Sequence, residues 1–231
     1  MTFIYIFLPI VILLILLVKK EYANSILLIA SLVFYAWGEP RFIAVMLFSI
    51  LINYLSGVAL DWFNLKVIKK VVLLLSVVLN ISILIYFKYT NFIVETINDI
   101  SKGSLNYIDI VMPIGISFFT FQAMSYVIDV YRKKVEAQKN IYKLALYISF
   151  FPQLIAGPIV KYHDIHEQIN KREIKYEKLI YGIRRFVYGL GKKVLLANTF
   201  GEVVDKIFAN DLNMIDYKIA WLGAICYTLQ L

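Results

Sequence analysis

The chain has 231 residues, of which 61% are hydrophobic and 16% aromatic, and its mean hydropathy is +0.72. Soluble domains run at about 45–50% apolar residues, so composition excludes an ordinary soluble enzyme. The net charge of +8 lies mostly beside the apolar runs, where membrane orientation and anionic lipid account for it; no RNA- or DNA-binding motif is present, and nucleic acid is not an expected partner.

A helix crossing the hydrocarbon core needs about 20 mostly apolar residues. The first apolar run, Thr2–Val18, has no Lys or Arg before it and Lys19-Lys20 after it. That polarity is wrong for a cleaved signal, so the run is read as a retained span, with Pro9 placed to kink it. A second span covers Ser25–Trp37, extends upstream through Tyr22 and stops at Gly38-Glu39-Pro40. The third runs from Phe42 to Phe63 with Asn53 near its middle, and the fourth from Val71 to Phe87 with Ser76, Asn80 and Ser82 inside it. Interhelical hydrogen bonding is the expected role of the two asparagines. A polar break is predicted over Thr96–Asn106, with Gly103 and Ser104 forming a turn.

The fifth span, Ile108–Tyr131, is predicted to enter through Pro113 in its first turn. Gln122, Ser125, Asp129 and Arg132 follow one another at +3, +4 and +3, which puts them in one polar stripe, continued upstream by Gly115. Polar side chains within a membrane normally face a bundle interior or a water-filled path. Two readings stay open. The stripe lines a substrate passage, or Gln122 bonds to a neighbouring helix while Asp129 pairs with Arg132 or Lys133. The sixth span, Ile141–Ile159, is interrupted by Pro152 and by Gly157-Pro158, and a kinked or re-entrant segment is predicted.

Residues Lys161–Lys178 carry too much charge for the hydrocarbon. Glu177–Asn198 is predicted as an amphipathic helix with Leu179, Ile183, Phe186, Val187, Leu190 and Val194 on one face and Arg184, Arg185, Tyr188, Lys192 and Lys193 opposite. It lies in the membrane interface, or is a tilted span with snorkelling basic residues. A last apolar helix begins at Ile215 and the chain stops within it at Leu231, with no stop signal, an ending that reads as truncation. Cys226 is the single cysteine and is read as a small buried hydrophobe.

Basic clusters at Lys19-Lys20, at Lys66, Lys69 and Lys70, and at Arg132, Lys133 and Lys134 alternate with loops holding only Arg41, Lys88 and Lys102. The positive-inside rule makes the first set cytoplasmic and the N-terminus extracytoplasmic, in a multi-pass protein of the cell membrane. His163 and His166 are the only histidines. No third or fourth ligand accompanies them at recognisable spacing, so no metal is predicted. Their charged segment, a solvated loop or short helix, is a poor place for a general base.

Three stretches carry a resemblance. Ser31-Leu-Val-Phe-Tyr-Ala-Trp-Gly38 leads to Pro40-Arg41-Phe42 and Ile52-Asn-Tyr54. Met112-Pro-Ile-Gly-Ile-Ser-Phe-Phe-Thr-Phe-Gln122 continues through Ser125-Tyr126 to Ile128-Asp-Val-Tyr-Arg132. Ser149-Phe-Phe-Pro-Gln-Leu-Ile-Ala-Gly-Pro158 leads into Ile159-Val-Lys-Tyr162. With Gly191-Lys-Lys-Val-Leu-Leu-Ala-Asn198 and Trp221 to Gln230, they resemble, in order, the N-terminal half of membrane-bound O-acyltransferases of the alginate O-acetylation type.

The resemblance implies an all-α, polytopic transmembrane bundle, a ring of helices around a funnel, with residues 1–231 forming the N-terminal part of one transmembrane domain that is incomplete at the C-terminus. It also implies no bound cofactor and an acyl thioester as cytoplasmic donor. The acceptor would be an exported polysaccharide or an intermediary acyl-accepting protein, with membrane lipid around the whole. The family's catalytic histidine falls beyond Leu231, so no residue here takes that role. Gln122, Ser125, Asp129, Arg132, Pro152, Gly157 and Pro158 are the candidates for the funnel wall. A transporter or flippase is the alternative, though it would favour paired helix breaks where one is clear. A non-catalytic membrane scaffold remnant is a third reading.

Overall fold

A computed structural model describes residues 2–101, 106, 108, 110–155, 157–172, 175–209 and 216–231, and every regular element among them is helical. The chain forms two compact units, Met1–Arg172 and Glu173–Leu231.

The first unit opens with a π turn, Phe3–Phe7, leading into α1, Leu8–Leu17. Pro9 has no N–H to give the Tyr5 carbonyl, and the wider turn sits where the α register loses that bond. Helix α2, Lys20–Gly38, returns alongside α1 and ends at the expected stop. Helix α3, Ile43–Trp62, and α4, Lys66–Ser101, follow. At 36 residues α4 is about 54 Å long. It overruns the polar break predicted from Thr96. Locally, Thr90, Thr96 and Ser101 return their hydroxyls to the carbonyls of Tyr86, Phe92 and Ile97 at 2.7, 2.8 and 2.6 Å, so these three side chains are satisfied within the helix. Lys102 and the turn at Gly103 and Ser104 lie outside the described residues.

Helices α3 and α4 are long and apolar enough to cross a membrane, with mean hydropathy 2.1 and 2.3. Only 33% and 17% of their most apolar windows are buried within the chain. Most of that apolar surface therefore faces outward, which suits lipid and not water.

Helix α5, Ile116–Tyr131, starts later than predicted. Pro113 precedes it and Gly115 caps it at φ +75°, a left-handed conformation that breaks the helical path upstream. Helix α6, Ile141–Ser149, is capped by Asn140, whose side chain accepts from the N–H groups of Tyr142 and Lys143. It gives way to a single turn, α7, Phe151–Leu154, and then to α8, Tyr162–Asn170. Helix α5 is the hub: α3, α4, α6 and α8 all pack on it.

Two close approaches fix α3. Gly57 lies under the Tyr126 ring, where an added Cβ would come within 2.8 Å of ring carbons. Asn53 and Asn80, both fully buried, exchange amide hydrogen bonds at 3.0 Å across α3 and α4. Each also donates to a carbonyl one turn back, Ser49 or Ser76, at 2.8 Å. This is the interhelical role expected of them.

In the second unit α9, Tyr176–Lys192, runs through a π turn, Lys193–Ala197, into α10, Asn198–Phe208. The amphipathic helix is thus longer than the predicted Glu177–Asn198. Within this unit α9 buries no residue, and Ile183, Phe186 and Val187 are exposed. Helix α11, Tyr217–Gln230, is capped by Asp216 and packs on α10. Gly223 permits the contact, since a Cβ there would meet the Phe208 ring at 2.9 Å. Cys226 is buried in α11, as expected.

The asparagine pair gives a test. Asn53→Leu or Asn80→Leu alone strands a buried amide and is expected to cost about 1 kcal/mol or more. The double substitution removes both amides and should recover much of that loss, read by thermal unfolding in detergent. Additive losses would show that the pair is not coupled.

Candidate functional site

The polar stripe of α5 meets the broken sixth segment. Helix α6 ends because Phe150 leaves the helical path, at φ −57° and ψ 111°, and because Pro152 has no N–H to return to Ile148. The break frees the carbonyl of Tyr147 and the N–H of Phe151, which would have bonded each other. Side chains satisfy both. Gln122 donates its amide to the Tyr147 carbonyl at 2.7 Å and Gln153 donates to the same oxygen at 2.9 Å. The Phe151 N–H reaches Ser31 Oγ on α2 at 3.2 Å. Ser31 and Gln122 are buried, so these bonds satisfy backbone groups that lie among buried side chains.

One turn along the stripe, Ser125 Oγ lies 3.1 Å from the Tyr147 hydroxyl, which donates to the Val160 carbonyl at 2.8 Å and so ties the segment after the break back to the core. Tyr162 then stacks edge-on against Tyr126 and Tyr147, with centroids 4.9 and 5.1 Å away. Its hydroxyl accepts from Gln138 Nε2 at 2.9 Å. Burial raises the Tyr162 pKa, partly offset by that bond, which keeps the phenol neutral.

At the far end of the stripe the expected pairing fails. Asp129 Oδ2 lies 2.8 Å from His163 Nδ1, with side-chain exposures of 8% and 30%. Among the described residues Arg132 and Lys133 make no ion pair with it. The cause is the end of α5. Lys133 adopts φ +58° and the Lys134 N–H returns to the Asp129 carbonyl at 2.9 Å, a Schellman turn that ends the helix and leaves Arg132 and Lys133 exposed. Nor is His163 in a solvated loop. It sits in the first turn of α8, which Tyr162 and Ile169 bury against the core. Its Nε2 faces Asp164 Oδ1 at 3.3 Å. A carboxylate orienting Nδ1 is how many general bases are held, but a second carboxylate occupies the side where a reacting hydroxyl would have to come.

The structure thus brings Gln122, Ser125 and Asp129 into contact with the broken segment and with α8. Arg132, Pro152, Gly157 and Pro158 are exposed. Gly157 holds φ +127°, reserved in practice for glycine. Gly115 is needed for closeness as well as conformation, because a Cβ there would lie 2.5 Å from the Leu154 carbonyl oxygen. Sequence reasoning missed Tyr147, Gln153, Ser31 and the Asp129–His163 pair. The one available signal was that His163 and His166 are the only histidines in the chain.

Residues from all three resembling stretches meet at this break: Ser31 from the first, Gln122 and Ser125 from the second, Phe151 and Gln153 from the third. A lipid-solvated helical unit organised around a satisfied helix break is the class these features define. Comparison with known proteins agrees. Residues 119–231 match the MBOAT, membrane-bound O-acyltransferase family. The chain is 39% identical over 235 residues to the probable alginate O-acetylase AlgI of Pseudomonas aeruginosa, covering 100% of this chain and 45% of that protein. It is 38% identical over 236 residues to the probable alginate O-acetylase AlgI of Azotobacter vinelandii, covering 100% and 47%. It is 30% identical over 234 residues to the peptidoglycan O-acetyltransferase of Helicobacter pylori, covering 89% and 44%. No solved structure matches it. The membrane-bound O-acyltransferase match thus lies in residues 119–231, and the chain spans somewhat less than half the length of the curated relatives it matches.

A double-mutant cycle tests the corrected pairing. Asp129→Ala and His163→Ala should each destabilise the chain and show a coupling of about 1–3 kcal/mol, as for a hydrogen bond to a charged group. Asp129→Ala with Arg132→Ala should be additive. Coupling to Arg132 in place of His163 would restore the pairing read from spacing.

Proposed function

We propose that this chain is the N-terminal part of an O-acyltransferase that moves an acyl group, an acetyl group by the names of its relatives, from a cytoplasmic thioester to hydroxyls of an exported polysaccharide. The observation that carries the proposal is the match along the entire chain to proteins named for alginate O-acetylation, and along 89% of it to one named for peptidoglycan O-acetylation. It is supported by the meeting of the resembling stretches at one buried polar centre. In the reaction a base takes the acceptor hydroxyl proton, the oxygen attacks the thioester carbonyl, and the thiolate leaves and is reprotonated. This chain's part is structural. Helix α5 and the satisfied break form wall and support for a funnel, with the donor on the cytoplasmic side. The protein is multi-pass, with its N-terminus extracytoplasmic.

Activity separates this reading from one that puts the base within the chain. Membranes holding only residues 1–231 are expected to show no acyl transfer to a polysaccharide acceptor, beside a full-length relative that does. A missing base costs on the order of 10²–10⁴-fold in rate. Turnover equal to the relative's, abolished by His163→Ala, would place the catalytic base at the Asp129–His163 pair.

Topology has its own check. With Cys226 replaced, single cysteines at Lys20, Lys69 and Lys134 should resist an impermeant thiol reagent in intact cells, and one beside Glu39 should react. Labelling of the first three would reverse the orientation.

A further inference from the structure

A cavity of about 650 Å³ opens along the α1–α2 hairpin and reaches Ile114 and Ile155. Its floor is the aromatic cluster of Phe3, Phe7 and Phe34, and its walls are aliphatic. Polar side chains gather at one end. Thr2 at the start of the π turn lies there with Glu39, just past α2, because the two helices run antiparallel. Trp37 joins them, 88% exposed, as a ring placed at a membrane–water interface would be.

Dimensions decide the occupant. Along α1 the lining runs from Phe3 to Leu14, and along α2 from Ile26 to Glu39, or about 16 and 20 Å at helical rise. One leaflet of hydrocarbon is about 15 Å deep. The groove therefore matches the length of one acyl chain in a leaflet, and its lining is almost wholly apolar. At the polar end Glu39 makes no ion pair among the described residues, and its carboxylate disfavours an anionic head group while suiting an ammonium.

We propose that the α1–α2 groove is a binding site for a phospholipid with a primary-amine head group, one acyl chain lying along Phe7 and Phe34 and the ammonium near Glu39. The site does not rest on the acyl-transfer reading, since the polar side chains at the helix break, Ser31, Gln122 and Gln153, are not in its lining.

The test is the lipid that travels with the protein. The chain is reconstituted in nanodiscs of equal phosphatidylethanolamine and phosphatidylglycerol, transferred to mild detergent, and its retained lipid counted by native mass spectrometry. About one phosphatidylethanolamine per chain is expected, enriched about three- to fivefold over phosphatidylglycerol, the size of effect an exposed charge pair gives. Glu39→Gln should abolish the enrichment while lipid is still retained. Ala30→Phe, which fills the groove, should abolish retention with helicity by circular dichroism unchanged; should it fail to fold, Val33→Phe on the exposed wall is read in its place. Retention of no lipid, an enrichment unmoved by Glu39→Gln, retention unmoved by the filling variants, or a lipid-free dimer by light scattering would each overturn the proposal.

Discussion

Two backbone groups that cannot bond each other set the design of the first unit. The Tyr147 carbonyl and the Phe151 N–H are parted by the break at Phe150 and Pro152, deep among buried side chains. In apolar surroundings each would cost several kcal/mol if left alone. Ser31 on α2, Gln122 on α5 and Gln153 beyond the break are placed where they answer that demand. The packing of α2 and α5 around α6 and α7 follows from the same requirement, and so does Gly115, whose missing side chain lets the head of α5 touch the Leu154 carbonyl.

Much of this was legible from sequence. Spans Ser25–Trp37 and Phe42–Phe63 are set by apolar runs and stop signals, which are local, and they appear as α2 and α3 nearly as read. The sixth span's break was legible because proline removes a donor wherever it stands. The buried amides were legible as hydrogen-bonding groups, since a polar side chain on an apolar helix must find a partner. What spacing could not supply was the partner's identity when it came from far along the chain. Asp129 meets His163, 34 residues away. The i, i+3 neighbour Arg132 lay on the right face of an ideal helix, but the helix stops there. Boundaries failed for a related reason: hydroxyls that look like loop formers in α4 bond back onto their own helix.

The membrane accounts for what the surface leaves apolar. In water a 36-residue helix with most of its apolar surface turned outward would aggregate. In lipid that arrangement is the cheap one. The outward apolar faces of α3 and α4, the groove on α1 and α2, and the unburied face of α9 are what a chain solvated by hydrocarbon and head groups can present.

The stripe on α5 therefore does two different jobs at its two ends. Gln122 and Ser125 hold the start of the irregular segment through Tyr147, and Asp129 holds its far side through His163 at the head of α8. The Tyr147 hydroxyl adds a third tie at the Val160 carbonyl. Between these anchors the stretch bearing Gly157 and Pro158 is exposed, in a backbone conformation that only glycine adopts readily. The three ties fix both ends of the irregular segment to the buried core, so the helix break is held by side chains from α5, α6 and α8 and not by its own backbone.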